Sequence, residues 1–410
     1  MEQICPADLC TACTACYSVC PKNAIEMQPD TFGNIHPHIN SDLCIDCKAC
    51  VKICPVNNPV QLNEPKISLA AFTKDINDRK SCASGGVSFV LCTAIIKEGG
   101  IVFGCAQNNA YDIKHERFDN LSDLNKLKGS KYVHSPLGNT YKNVLSDLKS
   151  GKKVLFTGTP CQCAGLKSFL RKDYPNLFVV DICCHGVVSQ QLLHDELLSI
   201  KKNKSLKLED NDTFVRFREK INIKKGKFEK SEIKYGLFLY YRGKKLYCKC
   251  VPDNNYIAGF LSGIFFRENC FTCVYASKER VSDITLADHW GMGESENKEM
   301  NVHKGLSTIL VNTERGRYLL RQIENDIIYE ERSLDESING NGQFIQAFEK
   351  PKNHDSFISD YINKGYEYAC KVNLHDYKKQ YKEYFLRIKL IHIVKKIPFA
   401  KYIIDKLKNT

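Results

Sequence analysis

Leu9–Pro21 of this chain returns as Leu43–Pro55. Each copy fits C-x2-C-x2-C-x3-C-P, with Cys10, Cys13, Cys16 and Cys20 ahead of Pro21, and Cys44, Cys47, Cys50 and Cys54 ahead of Pro55. Three thiolates two residues apart wrap a loop around one corner set of an iron-sulfur cube, and the fourth, followed by Pro, reaches the other cube. The expected pairing is therefore crossed. Cys10, Cys13, Cys16 and Cys54 hold one 4Fe-4S cluster, and Cys44, Cys47, Cys50 and Cys20 hold the other. Zinc knuckles are the alternative, but zinc sites favour two C-x2-C pairs or Cys/His mixtures. Cys5 lies outside both copies and reads as a bystander thiol. Residues 1–62 are thus expected to form a two-cluster ferredoxin domain, whose exit Pro55, Pro59 and Pro65 punctuate.

Nine of the 21 cysteines precede residue 55, and redox compartment decides how the others are read. The start, Met1 to Pro6, has neither a basic nor an apolar signal region, and no apolar run reaches the ~18 residues of a membrane span. A cytoplasmic location is expected, so the thiols read as metal or redox groups rather than a disulfide framework. Hydrophobic residues at 43% and charged residues at 26% exclude wholesale disorder, and 410 residues leave room for two or three domains. A net charge of +12 would suit a nucleic-acid or acidic-polymer binder. The doubled cysteine motif argues against that class, and no nucleic-acid partner is expected.

After residue 66 the pattern becomes α/β. Ile67–Thr73 reads as a strand, Ser84-Gly85-Gly86 as a loop, Val87–Glu98 as a helix and Ile101–Cys105 as a second strand. With Ser84 as N-cap, such a loop leaves N–H groups free for a phosphate, although a plain helix cap is the blander account. Lys153–Thr157, a helix from Gln162 to Lys172 and Leu177–Ile182 form a βαβ unit with parallel strands. Cys161 and Cys184 then emerge at the sheet edge where open α/β sheets bind ligands. Cys270 and Cys273 add a single C-x2-C, and these four thiols can close a third metal site. Buried structural thiols or a zinc clip remain open as alternatives. Cys248 and Cys250 are read as lying on alternating faces of a strand and sharing no site. Residues 203–250 read as an antiparallel excursion, with Lys220–Lys230 as a solvated face.

The expected fold class is an α+β ferredoxin domain followed by an α/β domain with a mixed sheet and a helical C-terminal tail. Its divisions fall at 1–62, 66–150, 151–330 and 331–410. The tail, Arg387 to Thr410, carries seven Lys/Arg and one acid among Ile, Leu and Phe, with Pro398 breaking the pattern. Such a helix suits the inner face of an anionic membrane, and packing on the body is the alternative.

Ser84-Gly85-Gly86, Gly129–Val133, Thr157–Gln162, Cys184-His185-Gly186, Phe217-Arg218, Cys270-x2-Cys273 and Ser282–Thr285 through Asp288-x-Trp290-Gly291 occur in that order. Together they resemble the coenzyme F420 hydrogenase/dehydrogenase beta-subunit family over roughly residues 1–330. Two positions depart from the pattern. Ala287 stands where the family has Gly, and His289 where an aromatic or small residue is common. The resemblance implies an FAD-containing iron-sulfur oxidoreductase. Relatives act on a deazaflavin coenzyme or on chlorophyll precursors, or occur in surface-polysaccharide gene clusters. It also implies a third 4Fe-4S cluster on Cys161, Cys184, Cys270 and Cys273, with Cys163 and Cys183 as additional thiols beside them. FAD is expected near Ser84, Gly85, Gly86, Ser130, Lys131, Tyr132, Thr157, Gly158 and Thr159, with Lys131 offsetting negative charge. His185 and His289 are candidate proton donors, and structural roles are the alternative. The other functional class is an electron-transfer subunit without its own substrate, serving a partner reductase. Expected partners are a redox protein or a small-molecule acceptor.

Overall fold

The computed structural model describes residues 3–206, 210–225 and 228–394. It is a mixed α/β fold behind a ferredoxin-like segment, with helices at the C-terminal end. The repeat folds into two helices, Ala15–Val19 and Ala49–Ile53, beside a hairpin of β1 (Ile25–Pro29) and β2 (Ile35–Ile39).

The body is one eight-stranded sheet. Its strands in chain order are β3 (Ile67–Thr73), β4 (Ile101–Gln107), β5 (Ile113–Phe118), β6 (Val154–Gly158) and β7 (Leu177–Ile182). After a separate three-stranded antiparallel sheet of β8 (Thr213–Lys225), β9 (Phe228–Tyr241) and β10 (Lys244–Cys250), the large sheet resumes. It takes in β11 (Ile284–Asp288), β12 (Ser307–Val311) and β13 (Ile327–Glu331). The spatial order is β13-β3-β12-β11-β7-β6-β4-β5. Parallel pairing joins β4 to β6, β6 to β7 and β7 to β11, while the outer strands pair antiparallel. The expected division at residue 150 falls inside this sheet, so 66–150 and 151–330 share one fold unit.

The apolar runs explain the arrangement. β7, Leu-Phe-Val-Val-Asp-Ile, is buried through Asp181, as a central strand covered on both faces requires. One face packs the helices Val87–Lys97 and Glu314–Ile323. The other packs Pro160–Leu170 together with Cys13, Ala15 and Ile53 of the ferredoxin segment. A third cluster ties Phe32 to Phe357 and Tyr366 in the C-terminal helices. The last described helix, His375–Val394, contains only the start of the expected basic tail, and residues 395–410 lie outside the described residues. Among the described residues, no helix is long and apolar enough to cross a membrane.

Candidate functional site

The cysteine loops carry matching backbone strain. Ala12 and Thr14 in the first copy, and Asp46 and Lys48 in the second, all have left-handed φ angles of 51–62°. Non-glycine residues hold that conformation only where the surroundings over-determine it. Alternating right- and left-handed residues turn successive N–H groups into an anion-binding concavity of the kind found at iron-sulfur sites.

Cys16 lies within electrostatic reach of Cys10, Cys13 and Cys54, and Cys50 within reach of Cys20 and Cys47. Cys20, Cys44, Cys47 and Cys50 also line one small cavity. The thiols therefore gather in the crossed sets that the spacing predicts. Burial, reinforced by neighbouring thiols, pushes Cys13 up to about 12 and Cys16 well above its usual range. A thiol set of this kind becomes thiolate when a cation binds between its members. Cys5 corrects the expectation of a bystander, because its thiol hydrogen-bonds those of Cys10 and Cys54.

The two sets differ in position. Cys10, Cys13 and Cys16 are buried, whereas Cys47 is exposed and flanked by the exposed apolar side chains Leu43 and Ile45. The buried set meets the body at Gly165, where a Cβ would lie 2.7 Å from the Cβ of Cys13 and 2.7 Å from the Tyr141 hydroxyl.

Cys161, Cys184, Cys270 and Cys273, separated by 112 residues of sequence, converge on the far side of that contact. Burial raises the Cys184 thiol most, and Cys270, Cys161 and Cys273 add to it in that order. Cys161 sits in the first turn of the helix Pro160–Leu170. Thr159 caps that helix in a reciprocal box with Gln162, whose Oε1 accepts from the Thr159 N–H at 3.0 Å. Cys270 ends a 3-10 turn opened by Arg267. The Cys273 loop is held by Arg280, which donates to the carbonyls of Tyr275 and Ser277 at 3.0 Å and pairs with buried Asp181 at 3.3 Å. Tyr275 is electrostatically coupled to Cys161, Cys13, Cys273 and Cys54, so its ring lies between the buried ferredoxin set and this third set.

The additional thiols separate from the four. Cys163 points into the core, its Sγ 3.8 Å from the Val180 carbonyl. Cys183 faces Arg280, Asp181 and Asp288. Cys248 and Cys250 correct the reading of alternating faces: residues i and i+2 share a strand face, and the two thiols hydrogen-bond. Lys220 also departs from its expected solvated face, since it is largely buried and its ammonium donates to the Ser84 and Arg79 carbonyls. The side chains of 222–230 lie outside the described residues.

A cavity of about 510 Å³ opens beside the third set, at the C-terminal ends of β6, β7 and β11. Cys161 and Cys184 line it, as do Ser84, Gly86, Ser130, Lys131, Tyr132, Thr157, Gly158 and Thr159. Gly85 does not line it. Its N–H donates to Ser307 Oγ at 2.9 Å, and a Cβ there would strike the Ala71 carbonyl. Ser84 is not the helix cap either, since its hydroxyl donates to the Leu306 carbonyl. Gly86, at φ 88°, is the N-cap. The groups open to an anion are instead the N–H groups of the first turn, which a helix leaves without internal partners. Lys131 is buried, and its ammonium donates only to the Leu127 and Lys128 carbonyls, at 2.7 and 3.1 Å, without a carboxylate.

Arg218 and Asp288 form the far wall as a bidentate pair at 2.5 and 2.6 Å, beside Tyr235 and Trp290. His115 lies beneath, hydrogen-bonded to Ser135 at 2.7 Å and the Thr157 carbonyl at 3.0 Å, and burial pulls it down to about 4. Its role was not legible beforehand, because a histidine in strand β5 stands in no motif.

The two candidate proton donors part company. His185 lines the cavity among Phe260, Phe266 and Phe348, and its buried Nε2 has no partner. His289 is absent from the lining, and its two nitrogens meet Thr308 at 2.8 Å and Glu336 at 3.1 Å. It braces β11 against β12 and the helix Leu334–Asn339, a structural role in place of the expected proton donor.

Residues 151–337 match the family model for the C terminus of the coenzyme F420 hydrogenase/dehydrogenase beta subunit, and residues 9–58 match a 4Fe-4S dicluster domain. The chain belongs to that beta-subunit family. It is accordingly an iron-sulfur electron-transfer protein of an oxidoreductase family. Among solved structures, the xenon-derivatised F420-reducing [NiFe] hydrogenase complex from Methanosarcina barkeri matches over 83% of this chain and 96% of the matched chain. Identity is 18% and the TM-score 0.45. No curated protein matches.

Proposed function

We propose that the chain moves electrons between its 4Fe-4S clusters and an FAD held in the large cavity, for two-electron reduction or oxidation of a small substrate or deazaflavin-like coenzyme. One observation carries this reading. An unbroken series of thiol sets runs from exposed Cys47, through the buried Cys10, Cys13, Cys16 and Cys54, past Tyr275, to Cys161 and Cys184 on the cavity wall.

The third set would hold a third cube through Cys161, Cys184, Cys270 and Cys273. When bound, the cubes supply one-electron steps and a flavin couples them to two-electron chemistry. The chain's own side chains supply the rest. Lys131 offers an uncompensated positive charge for a phosphate or for anionic flavin, and the N–H groups after Gly86 suit a pyrophosphate. Ser130, Tyr132, Thr157, Gly158 and Thr159 line the same wall, while Gly85 shapes the turn without contact. His185, neutral through burial, can take or release a proton at its open Nε2.

A second reading, an electron relay for a partner reductase, is favoured by the exposed apolar residues Leu43, Ile45 and Val274. Anaerobic protein should release about one FAD per chain and turn over an added two-electron acceptor without other proteins. Protein free of flavin and inert toward the acceptor would sink the flavoenzyme reading and leave the relay.

A further inference from the structure

Arg267 is only 3% exposed, and no carboxylate pairs with it among the described residues. Its main chain belongs to the third thiol set. The Arg267 N–H donates to the Val187 carbonyl, three residues past Cys184, at 3.1 Å, and its carbonyl accepts from the Cys270 N–H at 3.0 Å. Its side chain belongs to the first ferredoxin loop. Nη2 donates to the Cys10 carbonyl at 2.9 Å and to the Ile35 carbonyl at 3.1 Å, and Nε donates to Asn269 Oδ1 at 3.1 Å. Nη1 is buried with no partner. Burying an unpaired guanidinium with an open donor is strongly unfavourable unless negative charge or an acceptor is supplied nearby.

The negative charge available is that of the thiol sets. Burial pushes Cys161 and Cys270 up, and Arg267 works against it at both. Cys10, drawn down chiefly by the Cys5 thiol, feels the same charge. The second ferredoxin set, Cys20, Cys44, Cys47 and Cys50, shows no such influence.

We infer that Arg267 is a shared counter-charge for the buried ferredoxin cube and the third cube, raising the reduction potentials of both and leaving the exposed cube alone. Reduction adds an electron to each cluster, so a fixed positive charge in a low-dielectric wall favours the reduced form. The inference rests on the reading that Cys161, Cys184, Cys270 and Cys273 carry a cluster.

Anaerobic potentiometric titration followed by electron paramagnetic resonance tests it on the full chain. Arg267→Gln should move two of three midpoint potentials to more negative values and leave the third in place. Arg267→Lys, which keeps the charge but not the fork, should stay near the parent. Asn269→Asp puts a carboxylate against Nε, neutralises the charge with the side chain in place, and should shift the same two potentials negative even if Arg267→Gln fails to load. Unchanged potentials in Asn269→Asp, or an equal shift of all three cubes, would overturn the inference. A parent chain showing only two cubes would instead defeat the third-cluster reading, and the shift of the first cube alone would then decide the role of Arg267.

Discussion

The two copies of the cysteine repeat share their spacing, a five-residue helix each and the same pair of left-handed residues, yet they occupy opposite environments. The first is walled in by the helix Pro160–Leu170, Arg267 and Tyr275. The second turns Cys47, Leu43 and Ile45 to solvent. The motif sets the cluster chemistry, and the body packed against one copy sets direction, with an outer end that can meet a donor and an inner end joined to the cavity.

Gly165→Leu should disturb this asymmetry most, because it drives a side chain into Cys13 and Tyr141. Overpacking at that contact should cost about 2–3 kcal/mol and empty the first cube while the second keeps its iron. Melting curves and iron counts check this, and intact iron at both cubes would mean the two copies are not asymmetrically held. A chelator such as EDTA should next strip the exposed cube about tenfold faster than the buried one, followed by the loss of each spectroscopic signal.

Acid should act on the inner side. Burial holds His115 at about 4 and His134 at about 3, below the usual 6.5, so the unfolded chain binds more protons between those values. The stability they contribute is complete above about pH 6.5 and is lost as pH falls towards 4. His115→Gln should flatten that loss in melting temperature measured from pH 7 to 4.5, and an unchanged slope would assign the acid sensitivity elsewhere. Ile45→Ser on the outer face should barely touch stability, changing it by no more than about 0.5 kcal/mol. It should still slow reduction by a protein donor, and an unaltered rate would place the docking surface away from Cys47.

Much of this was legible beforehand because local patterns fixed it. β7 falls on Leu177–Ile182 as expected, since a continuous apolar run between Asn176 and Cys183 has one good solution. The helix after β6 starts at Pro160 rather than Gln162, because the Thr159–Gln162 capping box extends it backwards. Strand order was not legible. β3 sits between β12 and β13, partners more than 230 residues away, and nothing local encodes that pairing. The third thiol set could be named from its cysteines, but its neighbour Arg267 could not. An arginine between Phe266 and Glu268 looks like any surface charge until Cys10 is folded against it. His289 misled for the opposite reason, standing in a motif while its side chain leaves the cavity that Asp288 and Trp290 line.

A graded series of three cubes stands or falls on the count of iron and acid-labile sulfide. Anaerobic parent protein should hold about twelve irons per chain, and Cys47→Ser, Cys13→Ser and Cys161→Ser should each fall to about eight. A parent with about eight irons, unchanged by Cys161→Ser, would contradict the series and end it at the ferredoxin domain.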